Sequence, residues 1–287
     1  MKKLLKSTTL ALHCHPMDDL VAYVKAGLQF HKEAGFDVAD ISLHNVNMTN
    51  GPWQEMVAEI LAETERLDLP FKICHLPFFG AEILTDREAA EAAEKWLVAS
   101  VDVAKALGVE YAVVHPNCTS VTLKSYDKAK HYDRAMAHLT PVAERAAQVG
   151  LNLVVENTRL VPGIRQSHRY CQTPDELCEL ADALGIGVCW DFGHANLAGL
   201  KQSEALAYIG KRLKVLHVND NNGADDDHVA PFMGNVNWVD AMHGLALAEF
   251  DGCLNYEVNA GRIPAQLRMD FAKYLVDAAD QLMEYIV

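Results

Sequence analysis

Four residues of the 287-residue sequence, Glu156, Asp191, His217 and Glu257, have the types and the setting to hold a divalent cation and to move a proton. Each stands at or next to the end of a short apolar run: LNLVVE (151–156), IGVCWD (186–191), LKVLHV (213–218) and GCLNYE (252–257). Three carboxylates and an imidazole aimed at one point repel strongly unless a counter-charge joins them, and a cation supplies it. Mixed oxygen and nitrogen donors suit Mn²⁺, Co²⁺, Mg²⁺ or Zn²⁺ and make no choice among them. Glu156 and Glu257 also have the chemistry of a general acid/base pair.

Four further runs end in the same manner. TLALHC (9–14) carries His13 with His15 just beyond, DVADISL (37–43) leads into His44, PFKICH (70–75) ends at His75, and EYAVVH (110–115) at His115. With 39 Asp and Glu and 13 His, such a group stands at roughly one position in five, so its presence at all eight ends exceeds chance. Runs this short and this continuously apolar read as strands of a parallel sheet covered on both faces. Parallel strand ends gather on one face, which is where a barrel of this kind carries its chemistry.

Helical patterns fill the intervals. The clearest spans 87–107, with Ala90, Ala93, Leu97, Ser100, Val101 and Ala104 on one stripe. Another runs through Ala129, Tyr132, Met136, Leu139, Val142 and Ala146. Pro141 predicts a kink or a fresh start there, with Thr140 as cap. Thr173-Pro174-Asp175-Glu176 has the form of a capping box, and Gly108 and Gly150 stand where helices end before strands. Eight such strand–helix units predict an α/β fold, one (β/α)8 barrel domain over 1–287. No GxGxxG or GxxxxGK[ST] follows any run, so the usual dinucleotide and P-loop signals are absent.

Composition narrows the classes. Half of the residues are hydrophobic, enough for a sizeable core, and 22% are charged. The net charge of −14 repels phosphate backbones and speaks against a nucleic-acid partner. No apolar run approaches the ~18 residues of a membrane helix. The seven cysteines form no CxxC pair and sit mostly in apolar segments, as reduced core residues of a cytoplasmic protein do.

Two loops extend the constellation. Asp191-Phe192-Gly193-His194 sets an imidazole three residues past a proposed ligand, and a polar loop after His217 holds Asp225, Asp226, Asp227 and His228. For the aspartates a solvated turn competes with a role in the site, while His228 is expected to face the cation. The stretch from Arg159 through Arg165 to Arg169 is basic within an acidic protein. It is either an ordinary surface loop or a clamp for a phosphate or carboxylate, and Arg262 is a weaker candidate of the same kind.

At this point the sequence resembles a family. The runs CHLPF (74–78), VVHPN (113–117), VVENT (154–158), WDFGHANLAG (190–199), LHVNDN (216–221), DDHVAPFMGNVNW (226–238) and NYEVN (255–259) are similar to those of the xylose-isomerase-like TIM-barrel superfamily, and the likeness spans nearly the whole chain. The resemblance implies one divalent metal on Glu156, Asp191, His217 and Glu257, the two glutamates as acid and base, and substrate contact by His194. Endonuclease IV shares the barrel, and its resemblance implies further zinc ligands at His75, His115, His194, Asp226 and His228. One departure stands out: where the epimerase-like branch often has Pro-Gly-Glu-Gly, this chain has Pro231-Phe232-Met233-Gly234, losing an acidic group.

A cation holding a carbonyl oxygen and a neighbouring hydroxyl would acidify the adjacent C–H. Proton removal and return by Glu156 and Glu257 then gives epimerisation, return to the next carbon gives aldose–ketose isomerisation, and loss of a β-hydroxyl gives a sugar or keto-inositol dehydratase. His75, His115, His194, Arg165 and His228 are the expected substrate contacts, and the expected substrate is a small, polar, sugar-like molecule. The alternatives are a zinc phosphodiesterase acting on abasic DNA and a non-catalytic binding barrel. Trp53, Phe78 and Phe79 would serve as a homo-oligomer contact or as a lid over a sugar ring.

Overall fold

The computed structural model describes residues 3–13, 19–79, 86–117, 121–160 and 167–286. Ten strands occur among them: β1 (Leu5–Thr8), β2 (Ala39–Ser42), β3 (Phe71–His75), β4 (Tyr111–Val114), β5 (Val121–Thr122), β6 (Asn152–Glu156), β7 (Ser167–His168), β8 (Gly187–Asp191), β9 (Leu213–His217) and β10 (Cys253–Tyr256). Parallel pairing runs β2-β3-β4-β6-β8-β9, and β1 pairs parallel with β10. Single parallel bridges, Thr9 to Asp40 and Val218 to Tyr256, join these two sheets at both edges. Eight parallel strands thus close into a ring, while β5 and β7 form a small antiparallel pair apart from it.

The helices are α1 (Leu20–Ala34), α2 (Trp53–Leu67), α3 (Arg87–Ala106), α4 (Lys128–Val149), α5 (Pro174–Leu184), α6 (Phe192–Leu197), α7 (Gln202–Ile209), α8 (Trp238–Leu247) and α9 (Arg268–Glu284). All but the short α6 pack side by side around the strands, with α9 returning against α1. The predicted α/β barrel is the observed architecture. Asp19, Asp86 and Asp127 cap α1, α3 and α4 by accepting from backbone N–H groups of the first turn. The predicted stripe on α3 is buried at Ala93, Leu97, Ser100, Val101 and Ala104.

Strand alternation positions the chemistry. Val38, Ile73, Val113, Val154, Cys189, Val215 and Cys253 pack together in the lumen as a cluster of their own. Side chains two residues further on project to the same side of a strand. Those residues are Asp40, His75, His115, Glu156, Asp191, His217 and Asn255, with Glu257 two beyond Asn255. An apolar plug therefore fills the barrel below, and a layer of ionisable and amide groups lies above it.

Three local expectations are corrected. The first strand is Leu5–Thr8, and Leu10–His13 form a 3-10 turn, because pairing with β10 takes the residues before the TLALHC run. Helix α4 runs unbroken through Pro141, and the Thr140 hydroxyl donates back to the Met136 carbonyl instead of capping a new start. Thr173 makes no side-chain cap bond, and Glu176 accepts instead from Tyr126 Oη (2.5 Å), His168 Nε2 (2.9 Å) and the Cys171 amide (3.1 Å). Gly108 and Gly150 have φ of 75° and 69°, the left-handed conformation expected of a helix end.

Candidate metal centre and cleft

The ends of β6, β8, β9 and β10 bring Glu156, Asp191, His217 and Glu257 together. One donor atom from each lies within 4.8 Å of the donors of the other three. Both Glu156 Oε1 and Glu257 Oε2 stand 3.2 Å from His217 Nδ1. Glu156 Oε1 and His217 Nδ1 are buried and have no hydrogen-bond partner. Buried polar atoms left without partners are costly, and an ion bound among them removes that cost. The donor set and these orphaned atoms fit a divalent cation.

Backbone and amide groups hold the donors in place. Asp191 caps α6, its Oδ1 accepting from the His194 amide at 2.6 Å, while Oδ2 accepts from Asn219 Nδ2 at 2.6 Å. The Asn157 carboxamide clamps the Asp191 backbone through both of its ends. Gly193 has to be glycine: a Cβ there would stand 1.9 Å from Asn219 Oδ1. Asp220 accepts from the amides of Asn221, Phe232 and Val236 and from Trp238 Nε1, which ties down the loop carrying Asp226 and His228. Gly234 lies against that knot, where a Cβ would meet Asn221 O and Asp220 Oδ1, both at 2.3 Å.

Two further groups flank the centre. His75, His115 and Glu156 form one, and His194, Asp226 and His228 form the other. His75 and His115 meet through their Nε2 atoms at 3.2 Å, and His115 Nε2 is 3.1 Å from Glu156 Oε2. His75, His194 and His228 each direct Nδ1 at a backbone carbonyl, of Leu76 (2.7 Å), Asn157 (2.8 Å) and Glu257 (2.8 Å). That arrangement leaves Nε2 free of backbone partners, as carbonyls behind metal-ligating imidazoles do.

Electrostatics in the cluster are strongly coupled. Burial pushes the Glu257 carboxyl up, but His217 and His228 outweigh it and hold it at about 2. Burial likewise opposes the imidazolium of His194, yet Asp191, Asp226 and Glu156 raise it to about 9. His228 is raised to about 10 against its burial by Asp226, Glu257 and Asp191. Burial dominates at Asp191 and raises its carboxyl. Protonated imidazoles thus balance the carboxylates in the way that a bound cation would.

Of the predicted contacts, His75, His115, His194 and His228 all line a cavity of about 220 Å³ together with both glutamates, Phe78, Phe79, Arg159 and Arg169. Arg159 Nε stands 3.4 Å from Asp226 Oδ2. Arg165 and His15 lie outside the described residues. His13 is not at the site: it is buried against Tyr23 under α1, with ring centroids 4.5 Å apart. His44 stacks on Phe78 and Trp96 and lines neither cavity beside the cluster. Asp225, Asp227 and Arg262 are exposed, so only Asp226 of that turn joins the cluster. The positioning amides of Asn157 and Asn219 were not singled out from sequence. The signal available was the polar run that follows each strand, VVENT and LHVNDN.

Residues 28–281 match the family described as xylose isomerase-like TIM barrel. A protein of Methanocaldococcus jannaschii is 30% identical over 156 residues, 53% of this chain and 51% of its own length. The chain spans about half the length of the curated relatives it matches. Among solved structures, a D-tagatose 3-epimerase-like protein superposes with a TM-score of 0.75 at 19% identity, covering 98% of both chains. A D-allulose 3-epimerase from Methylomonas sp. does so with a TM-score of 0.75 at 18% identity, covering 98% of this chain and 99% of that one. These likenesses show the fold.

Proposed function

The chain belongs to the xylose isomerase-like TIM-barrel family, and on that premise we propose that it is a divalent-metal-dependent isomerase or epimerase of a sugar or sugar derivative. The observation that carries this reading is the convergence of Glu156, Asp191, His217 and Glu257, two of them glutamates flanking one imidazole, at the rim of the barrel.

Those four residues would hold one cation, Mn²⁺, Co²⁺, Mg²⁺ or Zn²⁺. When bound, such an ion supplies Lewis acidity that makes the C–H beside a carbonyl a stronger acid. Glu156 and Glu257 are both held as carboxylates at neutral pH, so either can take the proton; the other returns one that it has first taken up from water, and the first then gives its own back to water. Return to the opposite face of the same carbon is epimerisation; return to the neighbouring carbon is isomerisation. His75, His115, His194 and His228 surround the cavity as donors to substrate oxygens, and Arg159 and Arg169 stand where a further oxygen or anionic group would lie. The 3-epimerase neighbours support epimerisation over the other outcomes.

The test is exchange of the substrate proton in D2O across a ketose panel with the metal-loaded protein. Glu156→Gln and Glu257→Gln are each expected to reduce exchange and turnover by at least ~100-fold. Full exchange in both variants would remove these glutamates from the chemistry.

A second reading rests on the two flanking groups, His75/His115/Glu156 and His194/Asp226/His228. The resemblance to endonuclease IV implies His75, His115, His194, Asp226 and His228 as further ligands, and three ions on these residues together with Glu156, Asp191, His217 and Glu257 would suit phosphodiester hydrolysis at abasic DNA. Metal content separates the two readings: one ion per chain supports sugar chemistry, and three zinc ions support the phosphodiesterase.

A further inference from the structure

The cation cluster does not sit at the end of a single cavity. A second lobe of about 350 Å³ shares His75, Phe78, Asp226, His228 and Glu257 with the first and continues toward β1 and β2. Its own walls include Thr9, Asp40, Ser42, Asn45 and Asn259, with no Lys or Arg among its lining residues. The first lobe, by contrast, carries Arg159 and Arg169.

Asp40 is the unusual member. Its side chain is 2% exposed, yet only Oδ2 has a partner, Asn255 Nδ2 at 2.9 Å. Oδ1 has no hydrogen-bond partner. A buried carboxylate oxygen left unpaired is unfavourable, and a ligand that donates to it recovers that loss on binding. Beyond the residues shared with the first lobe, this end offers one carboxylate, hydroxyls and amides and no Lys or Arg, so a hydrogen-bond donor suits it better than an anionic group.

We propose that this lobe is a subsite for the hydroxyl-bearing tail of the substrate, with Asp40 Oδ1 accepting a hydrogen bond from a tail hydroxyl and so setting specificity for chain length. The inference rests on the sugar reading above and adds that the reacting carbon lies inside the substrate chain, between two filled lobes. The closing experiment titrates the full-length Mn²⁺-loaded protein calorimetrically with glycerol, erythritol, xylitol and sorbitol. Affinity should climb with chain length. Asp40→Ala should weaken sorbitol binding about tenfold or more, and Asp40→Asn, which trades a charge-assisted bond for a neutral one, about threefold. Uptake of Mn²⁺, followed by electron paramagnetic resonance, should match the unsubstituted protein in both. Sorbitol affinity unchanged in both variants, or no gain in affinity beyond glycerol, overturns the subsite. Should Asp40→Ala not fold, Asp40→Asn decides alone. Failure of the unsubstituted protein to bind any of Mn²⁺, Co²⁺, Mg²⁺ and Zn²⁺ would instead overturn the sugar reading on which the subsite rests.

Discussion

Replacing Gly193 by alanine tests whether the amides behind the candidate metal donors set their position. The added Cβ would stand 1.9 Å from Asn219 Oδ1 and 2.9 Å from Asn221 Nδ2, and both asparagines are fully buried. Ordinary contact needs about 3.5 Å, so the Asn219 carboxamide must retreat by ~1.6 Å. Its Nδ2 donates to Asp191 Oδ2 at 2.6 Å, and a retreat of that size breaks the bond. Overpacking costs about 1–3 kcal/mol, and the lost bond to a carboxylate adds about 1.5–3 kcal/mol. Loss of such support for a ligand commonly weakens metal binding by about 10–100-fold. Urea melts of the metal-free protein and a calorimetric Zn²⁺ titration read the two effects separately. Adding Asn219→Ser to Gly193→Ala should relieve the clash and restore stability while metal affinity stays low. Unchanged stability and unchanged metal affinity in Gly193→Ala would refute the reasoning.

Burial, with His13 adding to it, holds His31 neutral at a pKa of about 3, so its proton is bound less well in the folded state than in the unfolded one. Stability from this group is present above the unfolded value near 6.5 and falls as pH drops from there toward 3; at pH 5 the loss is ~2 kcal/mol, and a His31→Leu variant should lack it in paired urea melts. In the metal-free protein His194 and His228 work in the opposite direction. Their raised values of about 9 and about 10 contribute stability that is full below 6.5 and lost as pH rises through 9 to 10, so His228→Gln should flatten the alkaline limb of a pH–stability curve. Glu176→Ala removes the acceptor shared by His168 Nε2, Tyr126 Oη and the Cys171 amide, which should lower stability by about 3–5 kcal/mol in chemical denaturation; a change below ~1 kcal/mol would show that the knot contributes little.

The barrel and the convergence of the four candidate donors are legible in sequence because alternation in a strand leaves little freedom. Once LNLVVE and IGVCWD are read as parallel strands, Glu156 and Asp191 must project on the same side as Val154 and Cys189, which pack in the lumen. Elsewhere residue type alone misleads. His13 and His44 follow apolar runs just as His75 and His115 do, but packing partners, the following helix α1 for one and the Phe78–Trp96 stack for the other, hold them away from the cleft. The strand boundary near Thr9 depends on the register with β10, 244 or more residues away, and no local pattern encodes it. Glu176 has the spacing of a capping box, yet tertiary donors outcompete the Thr173 amide for its carboxylate. Asn157, Asn219 and Asp40 were illegible for another reason: their importance lies in which atoms they face, and an amide or a lone acid within a strand carries no spacing signature.

The most direct trial of the central claim is anomalous diffraction from crystals grown with Mn²⁺. A peak bonded by Glu156, Asp191, His217 and Glu257 together, at about 2.0–2.3 Å from their donor atoms, is expected, and it should disappear in Asp191→Ala. A well-ordered crystal with no peak among those four side chains, or one that persists undiminished in Asp191→Ala, would contradict that claim.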